Sequence, residues 1–256
     1  MTFSILSMSL SAISSTLKFL AISFLRMCLV AFAFLAFSLS CAADDERFTV
    51  ISVDTAHEKL ELFLNDEEGK PFKRFEHLAA WLQTRKKQLR FAGNAGMYHQ
   101  NFSPVGLLIQ DGKQAFPLNQ TNGIGNFFLK PNGVFLVSDA GPRVVESSEY
   151  PAIANGVRIA TQSGPLLVRR GTIHPAFERN SSSRLIRNGV GVNGSKAYFV
   201  ISERPVSFYE LAIFFRDTLL CQDALYLDGV VSGLYSTEKH RKDSSADLGA
   251  MIGLIR

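Results

Sequence analysis

The sequence predicts an α+β fold: a single domain on a twisted, antiparallel-rich mixed sheet covered by helices. Three observations predict it. Short apolar or alternating runs recur along the chain, Asn-Gly pairs stand among them, and two segments carry helical periodicity instead. The strand-like runs are 48–53, 60–64, 105–109, 126–129, 134–137, 197–201 and 224–227. Asn132-Gly133, Asn155-Gly156, Asn188-Gly189 and Asn193-Gly194 supply the positive-φ positions of tight turns, and the first of them reads as a hairpin turn between two runs. A first helix is expected from about Phe72 to Leu89, where Phe75, Leu78, Ala79 and Leu82 share one stripe. The second opens on Ser207-Phe208-Tyr209-Glu210, a capping-box pattern, and continues through Leu211, Ala212, Phe215 and Leu219.

The N-terminus reads as a targeting segment. No acidic residue occurs before Ser40, the only charges are Lys18 and Arg26, and an apolar run of residues 27–37 follows. The run is shorter than the roughly 20 residues that span a bilayer as a helix, and it ends in small residues, Ser40-Cys41-Ala42-Ala43. The expected organisation is a signal peptide over 1–42 and one domain over 43–256, working in the periplasm or secreted. A lipid anchor at Cys41 and an uncleaved N-terminal anchor are the competing readings, and only through them would the membrane be a partner.

Composition excludes several function classes. The 27 basic residues, two of them in the leader, nearly balance 23 acidic ones, which argues against a nucleic-acid groove. Arg85-Lys86-Lys87 with Arg90 is the one basic cluster and reads as a solvated helix face. Cys28 and Cys41 fall in or beside the leader, so Cys221 stands alone in the mature chain, without a disulfide partner and in an apolar setting that suits a buried thiol. GxSxG, HExxH, P-loop and Cys-x-x-Cys patterns are missing, and His57, His77, His99, His174 and His240 are scattered. No cofactor or metal is expected. Carboxylate and amide oxygens could take a divalent cation, but no ligand spacing marks a site.

What stands out is a set of Gly, Asn and Pro residues at the ends of strand-like runs: Asn94-Ala95-Gly96-Met97-Tyr98-His99, Gly125-Asn126-Phe127-Phe128 leading to Pro131-Asn132-Gly133, Gln162-Ser163-Gly164-Pro165, Arg187-Asn188-Gly189-Val190-Gly191, and Leu227-Asp228-Gly229. Each alone reads as a turn. In this order they resemble the phosphodiester glycosidase family, over nearly the whole of 48–235. The sequence departs from the family pattern after the aspartate, where Val230-Val231-Ser232 replaces a glycine-rich run. The resemblance implies a hydrolase of sugar-1-phosphodiesters with a carbohydrate or sugar-phosphate ligand, acting on envelope or extracellular glycans. A non-catalytic glycan-binding or envelope-assembly protein is the alternative.

Cleaving a sugar-1-phosphodiester builds positive charge on the ring and negative charge on the departing phosphate. A carboxylate is therefore wanted at the anomeric carbon and a cation at the phosphate. With the resemblance counted, Asp228 is the expected carboxylate, and Arg187, whose guanidinium can hold two phosphate oxygens, the expected clamp. Asn94 is expected to bond a sugar hydroxyl or acetamido group, Gly96 and Gly229 to let backbone approach the ligand, and His99 and Ser232 to add polar contacts. Glu203, Asp54 and Asp139 are unranked candidates for a second carboxylate.

Overall fold

A computed structural model of the protein describes residues 45–256 except 230 and 245. The expected signal peptide lies outside the described residues. Within them the fold is mostly β: sixteen strands form three antiparallel sheets, and the α-helices are short. The first sheet is ordered β1 (Phe48–Asp54), β12 (Lys196–Ser202), β11 (Asn188–Asn193), β13 (Asp223–Asp228), β9 (Leu166–Arg169), β10 (Thr172–Ile173). The second is β15 (Arg241–Lys242), β14 (Leu234–Ser236), β3 (Leu89–Asn94), β16 (Met251–Ile255), β2 (Leu60–Phe63). The third is β5 (Lys113–Phe116), β4 (Leu108–Gln110), β8 (Val157–Ser163), β6 (Gly133–Ser138), β7 (Gly141–Glu146). This corrects the expectation of one mixed sheet covered by helices. Every paired strand among the described residues is antiparallel, and the sheets cover one another.

Strand alternation explains how. The inner faces of all three sheets share one core, to which Val53, Phe91, Phe135, Ile159, Val190, Phe199, Leu225 and Ile252 contribute. The outer faces carry smaller clusters. On β13, Leu225 and Leu227 point into the shared core, whereas Ala224 and Tyr226 face the opposite side. There α2 (Phe208–Ile213) packs, and a π-helical turn (Phe214–Thr218) continues it. The expected capping box is present: the Ser207 amide donates to Glu210 Oε2 at 2.8 Å and the Glu210 amide to Ser207 Oγ at 3.2 Å. Ser207→Ala is expected to cost about 1 kcal/mol, measured as a lower urea midpoint with unchanged slope.

The first helix, α1 (Phe75–Thr84), is shorter than expected at both ends and lays Phe75, Leu78 and Leu82 on the second sheet. Lys73 before it and Lys86 after it hold positive φ, so the backbone leaves the helix at both sites, and Leu89 begins a strand instead. Arg85, Lys86 and Lys87 are exposed, as a solvated face should be. Asn193-Gly194 does turn the chain, between β11 and β12, with Gly194 at φ +59°. Asn155-Gly156 also turns the chain, with Gly156 at φ +71°, just before β8, whereas the other two pairs differ. Asn126–Phe128 is a 3-10 turn, so Asn132-Gly133 joins no hairpin, and Asn188-Gly189 lies within β11. Glycine suits β11 because a Cβ at Gly191 would meet Phe215 and the buried Cys221 sulfur at under 3 Å. Burial, reinforced by Asp223, pushes the Cys221 thiol up to about 12, which makes it an inert core residue.

Candidate active site

The strand ends that carry the motifs converge from all three sheets. Asp228 closes β13, Asn188 opens β11 directly opposite it, Asn94 closes β3 and Ser163 closes β8. Short polar bonds tie these ends together. Ser163 Oγ donates to the Leu227 carbonyl at 2.9 Å, fastening the third sheet to the residue before Asp228. Thr161 Oγ1 donates to the Ala95 carbonyl, fastening it to the second. Gly96, at φ +134°, crosses close above β8, where a Cβ would meet the Gln162 carbonyl and Thr161 Oγ1 at 3.0 Å. Its lack of a side chain thus serves chain crossing as well as any ligand approach.

Asn94, expected to bond the sugar, is 3% exposed and fully engaged by the protein. Its Nδ2 donates to the Val231 carbonyl at 2.6 Å, and its Oδ1 accepts from the Gly233 amide at 2.9 Å and Asn188 Nδ2 at 3.1 Å. Asn188 Nδ2 also donates to Ser232 Oγ at 2.9 Å, and Ser232 Oγ in turn lies 3.1 Å from the Gly229 carbonyl it donates to. The two asparagines and Ser232 therefore hold the turn that follows Asp228. That turn returns its own amides to the carboxylate: Gly229 N–H donates to Asp228 Oδ1 at 2.6 Å, and the Val231 amide also bonds it.

Asp228 lies on the wall of an open cleft of about 450 Å³, with Tyr98, His99, Gln100, Asn126, Phe128 and Val231 among its neighbours. Among the described residues it is the only carboxylate lining this cleft. Burial pushes its carboxyl up to about 6, against the opposing pull of the Gly229 and Val231 amides, so desolvation dominates. The Tyr98 hydroxyl, half-buried and near the charges of Asp228 and Asp247, is raised to about 12 and donates to the Asp247 carbonyl at 2.6 Å. None of the unranked second carboxylates reaches the cleft. Asp54 caps the Ala56 turn, Glu203 pairs with Arg241, and Asp139 sits in the β6–β7 turn. Among the described residues no group of three His, Cys, Asp or Glu side chains is gathered as a metal would need.

Arg187 does not line the cleft. It is 1% exposed, with its guanidinium 3.7 Å above the Phe208 ring. Its Nε donates to the Val206 carbonyl at 2.9 Å, its Nη2 to the Ser183 carbonyl at 3.2 Å, and its Nη1 reaches the Tyr226 hydroxyl at 3.5 Å. Neither Arg187 nor Asp228 forms an ion pair among the described residues. The two are linked through Tyr226 instead. A Cβ at Gly229 would collide with the Tyr226 hydroxyl, so glycine is required there by the packing of that ring. Burial lowers the Arg187 pKa, with Tyr226 opposing, and raises that of Tyr226.

The cleft also contains Gln100, an exposed amide outside every motif, and four motif residues to which the sequence assigned no role: the exposed amide Asn126 and the rings of Tyr98, Phe127 and Phe128. The strand expected over 126–129 is instead a 3-10 turn, Asn126–Phe128, that forms one wall of the cleft. Trp81, by contrast, offers no sugar platform: it packs edge-on against Phe72, bonds Glu67 and is covered by the Arg85 guanidinium at 3.9 Å.

Known proteins share the family and the fold. A family model described as phosphodiester glycosidase matches residues 87–253. The Escherichia coli (strain K12) protein named Uncharacterized protein YigE is 33% identical over 198 residues, covering 76% of this chain and 77% of that one. The catalytic domain of zebrafish N-acetylglucosamine-1-phosphodiester alpha-N-acetylglucosaminidase, auto-inhibited by its pro-peptide, superposes with a TM-score of 0.56 at 14% identity, covering 83% of this chain and 84% of that one. A hypothetical protein from Synechocystis gives a TM-score of 0.53 at 13% identity, covering 81% of this chain and 59% of that one. At such identities the two structures establish a shared fold. The family model spans most of the chain and the E. coli relative covers three quarters of it, so the chain belongs to the phosphodiester glycosidase family.

Proposed function

We propose that this protein is an exported hydrolase that cleaves the glycosidic bond of a sugar-1-phosphodiester in envelope or extracellular glycans. The single observation that carries this reading is Asp228, the lone carboxylate among the described residues lining an open cleft, with its carboxyl raised to about 6. In the reaction the bond between the anomeric carbon and the phosphate oxygen breaks. Its electron pair leaves with the phosphate, water supplies the oxygen that replaces it, and the products are the free sugar and a phosphomonoester. A phosphate monoester leaves readily, so the second carboxylate of ordinary glycosidases, needed there to protonate a poor leaving group, is dispensable. Ionised Asp228 then stabilises the positive ring from one side. His99, on the cleft wall, faces the phosphate in this reading, while Gln100 and Asn126 bond sugar hydroxyls. Asn94, Asn188, Ser232 and Arg187 hold the Asp228 turn. The paucity of charge in the cleft supports a ligand carrying a single negative charge.

The reading fixes the sign of the pH dependence. If the carboxylate is the working form, activity is absent well below pH 6 and rises as Asp228 ionises through about 6. The test is the pH profile of kcat/KM on N-acetylglucosamine-1-phosphodiesters and related sugar-phosphate esters, using the protein without its leader. An acid limb near 6 supports the assignment, and a rate that rises on acidification removes it. Glycan binding without turnover of any ester would favour a non-catalytic binding or assembly protein.

A further inference from the structure

One side chain at the Asp228 cleft is unused by the fold. Ile124 is 99% exposed, yet it borders the cleft. A large aliphatic side chain left wholly in water forgoes the free energy that burial would return. Alone it is too small to form a protein-docking patch. The apolar surface beside it is the cleft lining, to which Met97, Val105, Phe127, Phe128 and Val231 contribute.

The backbone around Ile124 forms a tip between two anchored feet. On one side Lys130 Nζ donates to the Gln120 carbonyl at 2.9 Å and to Asn122 Oδ1 at 3.0 Å. On the other, the Gly125 carbonyl accepts from the Phe128 amide at 3.1 Å and the Asn126 carbonyl from the Leu129 amide at 3.2 Å. Between the feet, Gly123 and Ile124 make no backbone hydrogen bond among the described residues. Both neighbours of Ile124 are glycines, for different reasons. A Cβ at Gly123 would meet the Phe128 ring at 2.7 Å, so the tip rests on that ring. At Gly125 φ is +102° and nothing lies within 4 Å of a Cβ, so glycine there serves backbone freedom and not packing. A tip with fixed feet, a glycine pivot and no backbone bond of its own moves at low free-energy cost.

We propose that the 123–125 tip is a lid, which folds over a sugar seated beside Asp228 and lays the Ile124 side chain on the C–H face of the ring. The proposal rests on the sugar-phosphodiester reading for the identity of the ligand. Ile124 has no polar side-chain atom, so it recognises the apolar face of the ring and not a hydroxyl. Closure buries that side chain and strips bulk water from an open cleft, where the positive ring of the reaction meets one carboxylate.

Three readouts test it together. The first two are kcat/KM on a methyl N-acetylglucosamine-1-phosphodiester and the melting temperature, in the wild type, Ile124→Ser and Ile124→Leu. The third follows the δ1-methyl resonance of Ile124 beside a soluble paramagnetic agent, while the carbon-linked phosphonate analogue of that ester, which cannot be hydrolysed, is added. The serine variant is expected to lose kcat/KM on the order of tenfold, and the leucine variant to stay within about twofold of wild type. Melting temperatures should be unchanged, because a fully exposed side chain holds nothing in the fold. The analogue should shield the Ile124 methyl from the paramagnetic agent severalfold. A serine variant with wild-type kcat/KM overturns the lid, as does a methyl that stays exposed while the His99 and Phe127 amides respond to the analogue; the hydrolase reading then stands. Loss of activity only in step with the melting temperature overturns it too. Methyl shielding without turnover of any sugar-phosphate ester keeps the lid and overturns the hydrolase reading. Neither turnover nor any response to the analogue overturns both.

Discussion

Asp228→Asn is expected to lower turnover of a sugar-1-phosphodiester by about 10²–10⁴-fold while making the protein more stable at neutral pH. The second half follows from linkage. Burial raises the folded-state value of the carboxyl from the ordinary 3.8 to about 6, so in that window the folded chain binds more protons than the unfolded one. Stability therefore falls as pH rises from about 4 to 6, and the penalty is complete above it, on the order of 2 kcal/mol for this half-buried group. Asparagine removes the charge and keeps an oxygen for the Gly229 amide. The melting temperature of the variant should exceed that of the wild type at pH 7.5, with the gap closing toward pH 4. Equal melting temperatures at both values would mean that the carboxylate is not held against its own solvation.

Arg187→Lys is expected to unfold the region rather than weaken phosphate binding alone. An ammonium cannot stack on Phe208 as a planar guanidinium does, nor reach the Val206 and Ser183 carbonyls and the Tyr226 hydroxyl together. The loss leaves buried acceptors unpaired beside a strongly hydrated charge, and about 2–4 kcal/mol should disappear from the unfolding free energy. Because Tyr226 abuts Gly229, the Asp228 turn should loosen as well, and kcat should fall with stability. Denaturant melts with steady-state kinetics check this. A variant of unchanged stability with only KM raised would restore Arg187 to the phosphate.

The sequence carried the antiparallel pairing, the Ser207 cap and the importance of the strand-end motifs, because each depends on neighbours in the chain. It could not show that Asn94 and Arg187 face inward. Both residue types serve ligands and buried scaffolds equally well, and only distant segments decide between them: 231–233 for Asn94, and Ser183, Val206, Phe208 and Tyr226 for Arg187. Strand β11 was hidden for a related reason: Asn188, Gly189 and Gly191 read as turn residues, yet the two glycines make room for Phe215 from α2 and its π-helical continuation. Strand β3 lies directly after α1, and its buried faces leave no alternation to separate it from the helix. Gln100 belongs to no motif, and Asn126 lies in one without a role marked for it; their position on the cleft wall emerges once β3, β8 and β13 are brought end to end.

The most direct test of the central claim, that water replaces phosphate at the anomeric carbon beside Asp228, is hydrolysis of a sugar-1-phosphodiester in ¹⁸O-labelled water with mass analysis of both products. The account predicts label in the released sugar and none in the phosphomonoester, with no product above background for Asp228→Asn. Label in the phosphate, or undiminished hydrolysis by the variant, would contradict it.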